Sequence, residues 1–342
     1  MKAELQSLAD RDRLALVGVA KNCGKTTTLN GLLRWRQKPP PALISIGVDG
    51  EQEDVLLGTA KPAIGVQAGQ WIITARKAAE QASASLQYVR SVGIDTPLGE
   101  VLACQVREPG NVILAGVKHR REILRALEVL GEEGVEAVWI DGAYGRISGA
   151  HPEVCEAVVI STGAIVGATL EEMIGKTEAL LTRLEVPAIE ERQHREVMER
   201  ALSEERVYFF DRIMGAVPLP LKSAMLGLSR ARDQWRGEVE AVAIPGLVSD
   251  RVAEELLGLD PRGRVLLIAD GTVLHLSGRI WRRLRKHWRV EALRPIEVAG
   301  ISYNPTALSG DRFEAEAIES GLRKSYPEGV LFNPLSESSP SH

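Results

Sequence analysis

The chain has 342 residues, of which 44% are hydrophobic and 26% are charged, and its formal net charge at pH 7 is −4. These values suit a globular protein with a sizeable core, divided into two domains, and they exclude a fibrous or a disordered chain. The net charge gives no general electrostatic reason to expect nucleic acid or an anionic membrane as a partner.

Cysteine usage and hydropathy indicate the compartment. The 3 cysteines lie far apart and form no C-x-x-C pair, which favours a reduced, intracellular environment. The N-terminal stretch MKAELQSLADRDRLALVG lacks the continuous apolar core of a signal peptide, and no stretch approaches the roughly 20 apolar residues needed to span a bilayer. We therefore expect a cytoplasmic protein with no membrane partner.

The first half of the chain alternates short apolar runs with stretches of helical period, the pattern of a mostly parallel sheet covered by helices. The predicted fold class is therefore α/β. The predicted strands are LALVG (14–18), ALISIG (42–47), NVILAGV (111–117), EAVWID (136–141) and EAVVIST (156–162).

An insertion at about 62–110 interrupts this alternation. Residues 63–75 and 98–106 have the pattern of antiparallel strands, and the stretch between them, 84–92, is predicted to be a helix. We expect this insertion to form a ribbon at the edge of the sheet.

The second half begins with two predicted helices, 169–184 and 190–205, whose apolar residues recur at three- and four-residue spacing. Further predicted strands then alternate with helices. The strands are 240–246, 264–270, 296–305 and 329–335, and the helices are 250–259, 278–288 and 311–324. This organisation predicts an N-terminal domain over 1–190, a smaller C-terminal α/β domain over 191–335 and a disordered tail over 336–342.

Residues 18–26, GVAKNCGKT, match the phosphate-binding pattern G-x-x-x-x-G-K-[ST] between a predicted strand and a predicted helix, which makes the N-terminal domain a predicted P-loop NTPase domain. The glycines let the backbone approach phosphate oxygens, and the helix N-terminus adds a favourable dipole. Lys25 is expected to contact the β- and γ-phosphates, and Thr26 to place its hydroxyl on Mg²⁺. The predicted nucleotide-binding residues are Gly18, Lys21, Asn22, Cys23, Gly24, Lys25, Thr26 and Thr27.

Two acidic residues follow predicted strands on the side where the nucleotide would bind. Asp141 ends the strand EAVWID and is expected to hold the metal through water, or else to cap a turn with Gly142. Asp49 follows the second strand in IGVDGEQED and is expected to orient water or metal, or else to lie in a solvated acidic turn. The predicted catalytic set is Lys25, Asp49 and Asp141, and the predicted metal set is Thr26, Asp49 and Asp141.

Three further features bear on specificity. No N-K-x-D or T-K-x-D tetrapeptide is present, which favours ATP over GTP. STGA (161–164) ends a predicted strand and forms either a contact to the base or ribose or a plain strand-to-helix turn. The basic, tryptophan-containing segment 278–290 either docks an acidic partner or nucleic acid, or is a solvated helix face over buried tryptophans.

Several motifs together resemble the ATP-dependent reactivating factors of adenosylcobalamin-dependent aminomutases, such as the reactivase subunits of lysine 5,6-aminomutase. They are GVAKNCGKTTTLN, SIGVDGEQED, KPAIGV, WIDGAYGR, STGA and ISYNP. The first domain also resembles the P-loop class that includes dethiobiotin synthetase, MinD-type ATPases and cobyrinic acid amidases. That class often uses an acid after its second strand, which supports the role of Asp49.

The resemblance implies a mechanism. ATP with Mg²⁺ would bind at 18–26, and hydrolysis would reset a conformational switch that opens an aminomutase and releases damaged cobalamin. The D-x-H-x-x-G cobalamin-binding pattern is absent from the chain, so the cobalamin would belong to the aminomutase. A second reactivase subunit and a second copy of this chain are further candidate partners, and the expected docking surfaces are the second domain and the segment 64–107.

Two other classes of function remain open. An ATP-dependent small-molecule ligase or kinase would show ATP turnover that a metabolite stimulates. A nucleotide-binding adaptor, resembling the accessory proteins of molybdopterin-guanine dinucleotide synthesis, would bind nucleotide more than it turns nucleotide over.

Overall fold

The computed structural model describes residues 2–47, 64–142, 147–219, 224, 227–228, 239–259, 264–307, 310 and 312–336. The chain divides into two compact units: unit 1 is residues 1–177 with 298–342, and unit 2 is residues 178–297. The fold is mixed α/β, with a large, mostly parallel sheet. None of the described helices is long and apolar enough to cross a membrane. Of the predicted tail, all but Ser336 lies outside the described residues.

The regular elements are named here in chain order. The α-helices are α1 Lys2–Ala9, α2 Lys25–Trp35, α3 Arg76–Ala79, α4 Arg120–Glu132, α5 Leu170–Leu184, α6 Arg192–Glu204, α7 Asp250–Leu257, α8 Gly278–His287 and α9 Ala315–Arg323. The strands are β1 Arg13–Gly18, β2 Ala42–Ser45, β3 Ile64–Val66, β4 Trp71–Ala75, β5 Ser85–Thr96, β6 Gly99–Glu108, β7 Gly110–Val112, β8 Val138–Asp141, β9 Ala157–Gly163, β10 Tyr208–Asp211, β11 Gly215–Pro218, β12 Ala241–Ile244, β13 Val248–Ser249, β14 Val265–Ile268, β15 Leu274–His275, β16 Arg289–Ala292, β17 Glu297–Asn304 and β18 Val330–Phe332.

The sheet of unit 1 has nine strands in the order β18-β17-β9-β1-β8-β2-β4-β6-β5. β1 runs parallel to both β8 and β9, and β2 runs parallel to both β8 and β4. These central strands are short and almost wholly buried, as expected of parallel strands covered on both faces. α2 packs its Leu29 and Leu32 into the same core as Leu14, Leu16 and Trp139. The carboxyl ends of β1, β2, β8 and β9 consequently lie at one edge of the sheet.

Four of the predicted strands of the first half are observed with slightly different bounds, and the fifth is only partly observed. The predicted strand 111–117 is regular only to Val112. The chain then returns to the sheet through one parallel bridge between Val117 and Ile46.

The insertion after β2 forms the edge of the sheet, as expected, but the helix predicted at 84–92 is wrong. That segment lies in β5, which pairs antiparallel with β6, and β6 pairs antiparallel with β4. Tyr88 and Val92 belong to residue classes that favour strands, and Gly99, with a φ of 89°, helps to close the tight turn between β5 and β6. Pairing with β6 therefore outweighs the helical spacing of the apolar residues.

The predicted division into domains at 1–190 and 191–335 needs correction. β17 lies beside β9 in the sheet of unit 1, and β18 lies parallel to β17 at the outer edge. Unit 2 thus covers 178–297, and the chain from residue 298 belongs to unit 1. The physical reason is that every residue of β9 is buried, so that the strand needs a hydrogen-bonded neighbour on each side.

Unit 2 contains a five-stranded sheet in the order β11-β10-β12-β14-β16. The strands β12, β14 and β16 are parallel, whereas β10 pairs antiparallel with β11 and with β12. The predicted strands at 240–246 and 264–270 correspond to β12 and β14. The strands β10, β11 and β16 were not predicted.

The basic segment 278–290 forms α8 and the first two residues of β16. Trp281 and Trp288 are buried, and the indole nitrogen of Trp281 donates a hydrogen bond to Thr182 Oγ1 at 2.9 Å. The basic side chains of this segment are exposed: Arg279, Arg282, Arg283, Arg285, Lys286 and Arg289. This is the arrangement of a solvated helix face over buried tryptophans.

Replacing Gly163 by alanine should loosen the junction of β9 and β17. An ideal Cβ on Gly163 would lie 2.3 Å from the carbonyl oxygen of Asn304 and 3.0 Å from its amide nitrogen, so that the two backbones would have to separate. We expect Gly163→Ala to lower the free energy of unfolding by about 1–3 kcal/mol, the usual cost of overpacking. Urea denaturation measures this difference.

The matched control is Gly175→Ala. No described atom lies within 4 Å of an ideal Cβ at Gly175, and the residue lies inside α5. Alanine should stabilise the helix there by up to about 1 kcal/mol. A Gly163→Ala protein as stable as this control would contradict the close approach of the two strands.

Candidate functional site

The glycine-rich loop, residues 18–24, connects the carboxyl end of β1 to α2. At its start, Val19 donates its amide to the carbonyl of Ser161 at 3.0 Å. Asn22, with a φ of 61°, and Gly24, with a φ of 95°, both take left-handed backbone conformations, which turn the chain into the helix. Gly24 is the N-cap of α2, and because it has no side chain it leaves the first helical amides uncapped. The loop therefore ends in a helix N-terminus with its positive dipole end directed at this edge of the sheet.

Two side chains fold back onto the start of this loop. An ideal Cβ on Gly18 would lie 2.7 Å from Cys23 Sγ and 3.0 Å from Lys25 Nζ. Lys25 is the first residue of α2, so its ammonium group returns to the first residue of the loop. Cys23 is buried, whereas Lys21 and Asn22 are exposed. A side chain at position 18 would therefore displace Cys23 Sγ and Lys25 Nζ from their present positions.

Three buried hydroxyl groups tie α2 to the sheet. Thr28 Oγ1 lies 2.6 Å from Ser302 Oγ and 3.2 Å from Ser161 Oγ, and the two serine oxygens are 3.1 Å apart. Thr28 Oγ1 also donates to the carbonyl of Gly24 at 3.0 Å. The triangle of Thr28, Ser161 and Ser302 joins the first turns of α2 to β9 and β17. It therefore fixes the end of the glycine-rich loop relative to both strands.

Asp141 lies at the carboxyl end of β8, next to the start of the loop. Its backbone is opposite Leu16 of β1 and Ser45 of β2. The amide of Ile46 donates to the Asp141 carbonyl at 2.9 Å, and that of Gly142 donates to the Leu16 carbonyl at 2.9 Å. These bonds place a buried carboxylate residue between β1 and β2, two residues short of the point where β1 enters the loop. The structure thus brings Asp141, Gly18 and Lys25 to the same edge of the sheet.

Thr26 and Thr27 occupy the first turn of α2 and are half-buried, as are Gly24 and Lys25. Asp49 lies outside the described residues. Tyr144 and Arg146, in the segment that follows Asp141, lie outside them as well. Among the predicted site residues that the structure describes, all but Asp141 belong to the loop or to the first turn of α2.

Two residues near the loop were not predicted as site residues. Asn304 ends β17, and its Cβ would lie 3.8 Å from an ideal Cβ on Gly24. Ser302, two residues earlier, belongs to the hydroxyl triangle. The signal for both is the stretch ISYNP, in which small polar residues stand at the end of an apolar strand. Because ISYNP lies late in the sequence, we predicted it to belong to the C-terminal domain, and we therefore expected no role for it at the loop.

The neighbours of these residues are fixed as well. In STGA, Ser161 joins the hydroxyl triangle, Thr162 Oγ1 lies 2.7 Å from Thr177 Oγ1, and Gly163 lies against the backbone of Asn304. Burial, together with the hydrogen bond that it donates to Glu319, raises the pKa of Tyr303, which therefore stays a neutral phenol at neutral pH. The hydroxyl groups of Ser161, Thr162 and Tyr303 therefore bond to other protein groups and stabilise the packing at this edge of the sheet.

Comparison of the chain with protein-family models, with curated proteins and with solved structures found no match. Function is therefore inferred from the residues and their geometry.

Removing the Thr28 hydroxyl should destabilise unit 1. Thr28→Val keeps the shape of the side chain but leaves Ser161 and Ser302 with one partner fewer in a buried setting. We expect the free energy of unfolding to fall by about 1–3 kcal/mol, the cost of leaving a buried polar group unsatisfied. Urea denaturation followed by circular dichroism measures the change.

Ser203→Ala is the control, because Ser203 is an exposed hydroxyl residue of α6 outside the triangle. Its effect should stay within about 0.5 kcal/mol, as for most surface substitutions. Equal stability of Thr28→Val and Ser203→Ala would show that the triangle contributes nothing to the fold.

Proposed function

We propose that this protein binds a nucleoside triphosphate with Mg²⁺ at the glycine-rich loop and hydrolyses its terminal phosphate. The observation that carries the proposal is the return of Lys25 Nζ over Gly18 at the N-terminus of α2, where the N-cap residue Gly24 has no side chain to cap the helix. An ammonium group, a helix dipole and a run of backbone amides then face one small region at the carboxyl edge of a parallel sheet. Together these groups favour a polyphosphate over a neutral ligand.

Each residue of the proposed site has a role that follows from its chemistry. The amides of the loop and of the first turn of α2, apart from that of Val19, would hold phosphate oxygens, and Lys25 would neutralise charge between the β- and γ-phosphates. Thr26 and Asp141 offer a hydroxyl and a carboxylate, the hard oxygen ligands that suit Mg²⁺. Mg²⁺ would supply electrostatic stabilisation of the charge that develops during phosphoryl transfer. Asp49, outside the described residues, is proposed to orient the attacking water.

The expected nucleotide is ATP, since the chain has no N-K-x-D or T-K-x-D tetrapeptide. Lys21, Asn22 and Thr27 are proposed to contact the phosphates. For Cys23, whose thiol is buried within the loop, the proposed contact is through the backbone amide.

Replacing Lys25 by alanine should abolish turnover. Without the ammonium group, the charge of the transferring phosphoryl group loses a cation that is fixed in place beside it. We expect a loss of about 100-fold or more in the rate of ATP hydrolysis, the magnitude typical of losing one preorganised electrostatic group. Phosphate release measures hydrolysis, and a fluorescent ATP analogue measures binding.

Lys77→Ala is the matched control, because Lys77 is an exposed lysine of unit 1 on α3, outside the loop. It should hydrolyse ATP like the unmodified protein. Unchanged ATP binding and hydrolysis in a folded Lys25→Ala protein would refute the proposed site.

On the resemblance to aminomutase reactivating factors, we further propose that hydrolysis drives the release of damaged cobalamin from an adenosylcobalamin-dependent aminomutase. Such coupling requires that the ATP-bound and ADP-bound states of this chain differ in affinity for the aminomutase. The cobalamin site belongs to the aminomutase in this proposal, and unit 2 and the segment 64–107 are the proposed docking surfaces.

Recovery of an inactivated aminomutase tests this second step. An aminomutase loaded with cyanocobalamin should regain activity when this chain, ATP, Mg²⁺ and adenosylcobalamin are added, together with the second reactivase subunit where one exists. Neither a non-hydrolysable ATP analogue nor Lys25→Ala should support recovery.

Hydrolysis without recovery would refute the reactivase role and leave the nucleotide site standing. Turnover stimulated by a metabolite would favour an ATP-dependent ligase or kinase instead. Tight nucleotide binding without turnover would favour a nucleotide-binding adaptor.

A further inference from the structure

Unit 2 contains a buried histidine whose ring nitrogens make no hydrogen bond to any described residue. His194 lies on α6 and is fully buried. Its ring packs edge-to-face against Phe210 at a centroid distance of 5.4 Å, which holds its orientation. Within the described part of the chain, neither Nδ1 nor Nε2 has a hydrogen-bond partner. Buried polar atoms in native proteins almost always have a hydrogen-bond partner or a bound ligand, so the two ring nitrogens point to a ligand at this position.

Carboxylates surround the imidazole on both of its nitrogen sides. His194 Nδ1 lies 3.7 Å from Glu191 Oε2 and 3.9 Å from Glu291 Oε2, and Nε2 lies 3.8 Å from Glu240 Oε1. These distances are too long for hydrogen bonds. Two ligand atoms that each lie about 2.0–2.2 Å from one zinc ion are at most about 4.4 Å apart, so each of these carboxylates is close enough to share an ion with the ring nitrogen that it faces. One ion binds either Nδ1 or Nε2, and the carboxylate on the other side reaches that ion by a small shift of its side chain.

One set of these residues is compact enough to share an ion. One ligand atom each from Glu191, His194 and Glu240 lie within 4.8 Å of one another. Glu191 immediately precedes α6 and stands three residues before His194, so the helix holds both. Glu240 comes just before β12, and the sheet brings it to the same point. Separate elements of unit 2 thus converge on the ring.

The charges leave room for a cation. Arg212 donates to both oxygens of Glu240, at 2.5 and 2.8 Å, and Arg289 donates to Glu291 at 2.7 Å. The side chains of Arg212 and Arg289 are 69% and 63% exposed, so both guanidinium groups can turn into solvent when a cation takes their place. The hydrogen bond from Arg212 also lowers the pKa of Glu240, which is therefore a carboxylate at neutral pH. Three glutamates face the imidazole, and they outnumber the two arginines.

We propose that Glu191, His194 and Glu240 bind one divalent transition-metal ion, with Glu291 as a neighbouring carboxylate that can complete the coordination. An imidazole nitrogen with carboxylate oxygens favours Zn²⁺ over Mg²⁺, which prefers oxygen ligands alone. The ion joins the start of α6 to the strand β12. Its role is structural, and it does not depend on the nucleotide site of unit 1.

Zinc titration of the full chain tests the site. After treatment with a chelator and its removal, the protein should bind one Zn²⁺ per chain by isothermal titration calorimetry, and its melting temperature should rise with free Zn²⁺. Mg²⁺ at the same concentration should do neither. Glu191→Gln should weaken Zn²⁺ binding by about 10-fold or more, and His194→Asn should remove it.

The control is His275→Asn, because His275 is an exposed histidine of unit 2. It should bind Zn²⁺ like the unmodified chain. The proposal is overturned if the unmodified chain binds no Zn²⁺, or if His194→Asn binds it with unchanged affinity. Should His194→Asn fail to fold, Glu240→Gln decides the question, since unchanged affinity in that folded variant also overturns the site.

Discussion

Three buried hydroxyl groups of unit 1 hold the end of the glycine-rich loop in place against two strands of the sheet. Thr28, Ser161 and Ser302 come from α2, β9 and β17, and they satisfy one another in a setting that excludes water. Apolar contacts tolerate a small slip between neighbouring elements, whereas hydroxyl groups in such a triangle must keep their distances to within a few tenths of an ångström. The position of the loop, and with it that of Lys25, therefore depends on this small polar cluster in an otherwise apolar core.

The local part of this arrangement could be predicted from the sequence. The strand, the glycine-rich loop and α2 are contiguous, and the spacing from Gly18 through Gly24 to Lys25 indicates a phosphate site by itself. Asp141 was identifiable for a similar reason, because an apolar run that ends in an acid and a glycine marks the carboxyl end of a strand. These features rest on interactions between residues near one another in the chain, or on the shared edge of a parallel sheet.

The distant part could not be predicted, because it depends on which strand fills the place beside β9. Ser302 is 141 residues from Ser161, and most of the intervening chain forms unit 2. The apolar pattern of ISYNP predicts a strand but not its neighbour. The same dependence on a distant partner explains the wrong prediction for β5. The spacing of its apolar residues resembles that of a helix, and only its pairing with β6 makes it a strand. It also explains the cluster around His194, because Glu240 and Glu291 reach that ring only through the order of the strands in unit 2.

The two candidate sites have local charges of opposite sign. In unit 1 a helix N-terminus and Lys25 create a positive region suited to an anion. In unit 2 glutamates surround a buried imidazole and create a negative region suited to a cation. A net charge of −4 hides both regions, since it averages over surfaces of opposite sign. The local arrangement of charge says more about the ligands than the sum over the chain.

The position of β17 also has a consequence for how the protein is made. A ribosome releases β1, the loop and β9 long before the strand that must lie beside β9, because all of unit 2 is synthesised in between. Until Ser302 and Asn304 emerge, the nascent chain has an open apolar strand edge and incomplete support for its loop. Such an edge is a site of mispairing and aggregation. The synthesis of residues 178–297 thus separates β9 from β17 in time, and during that interval the edge of β9 is open to pairing with other chains.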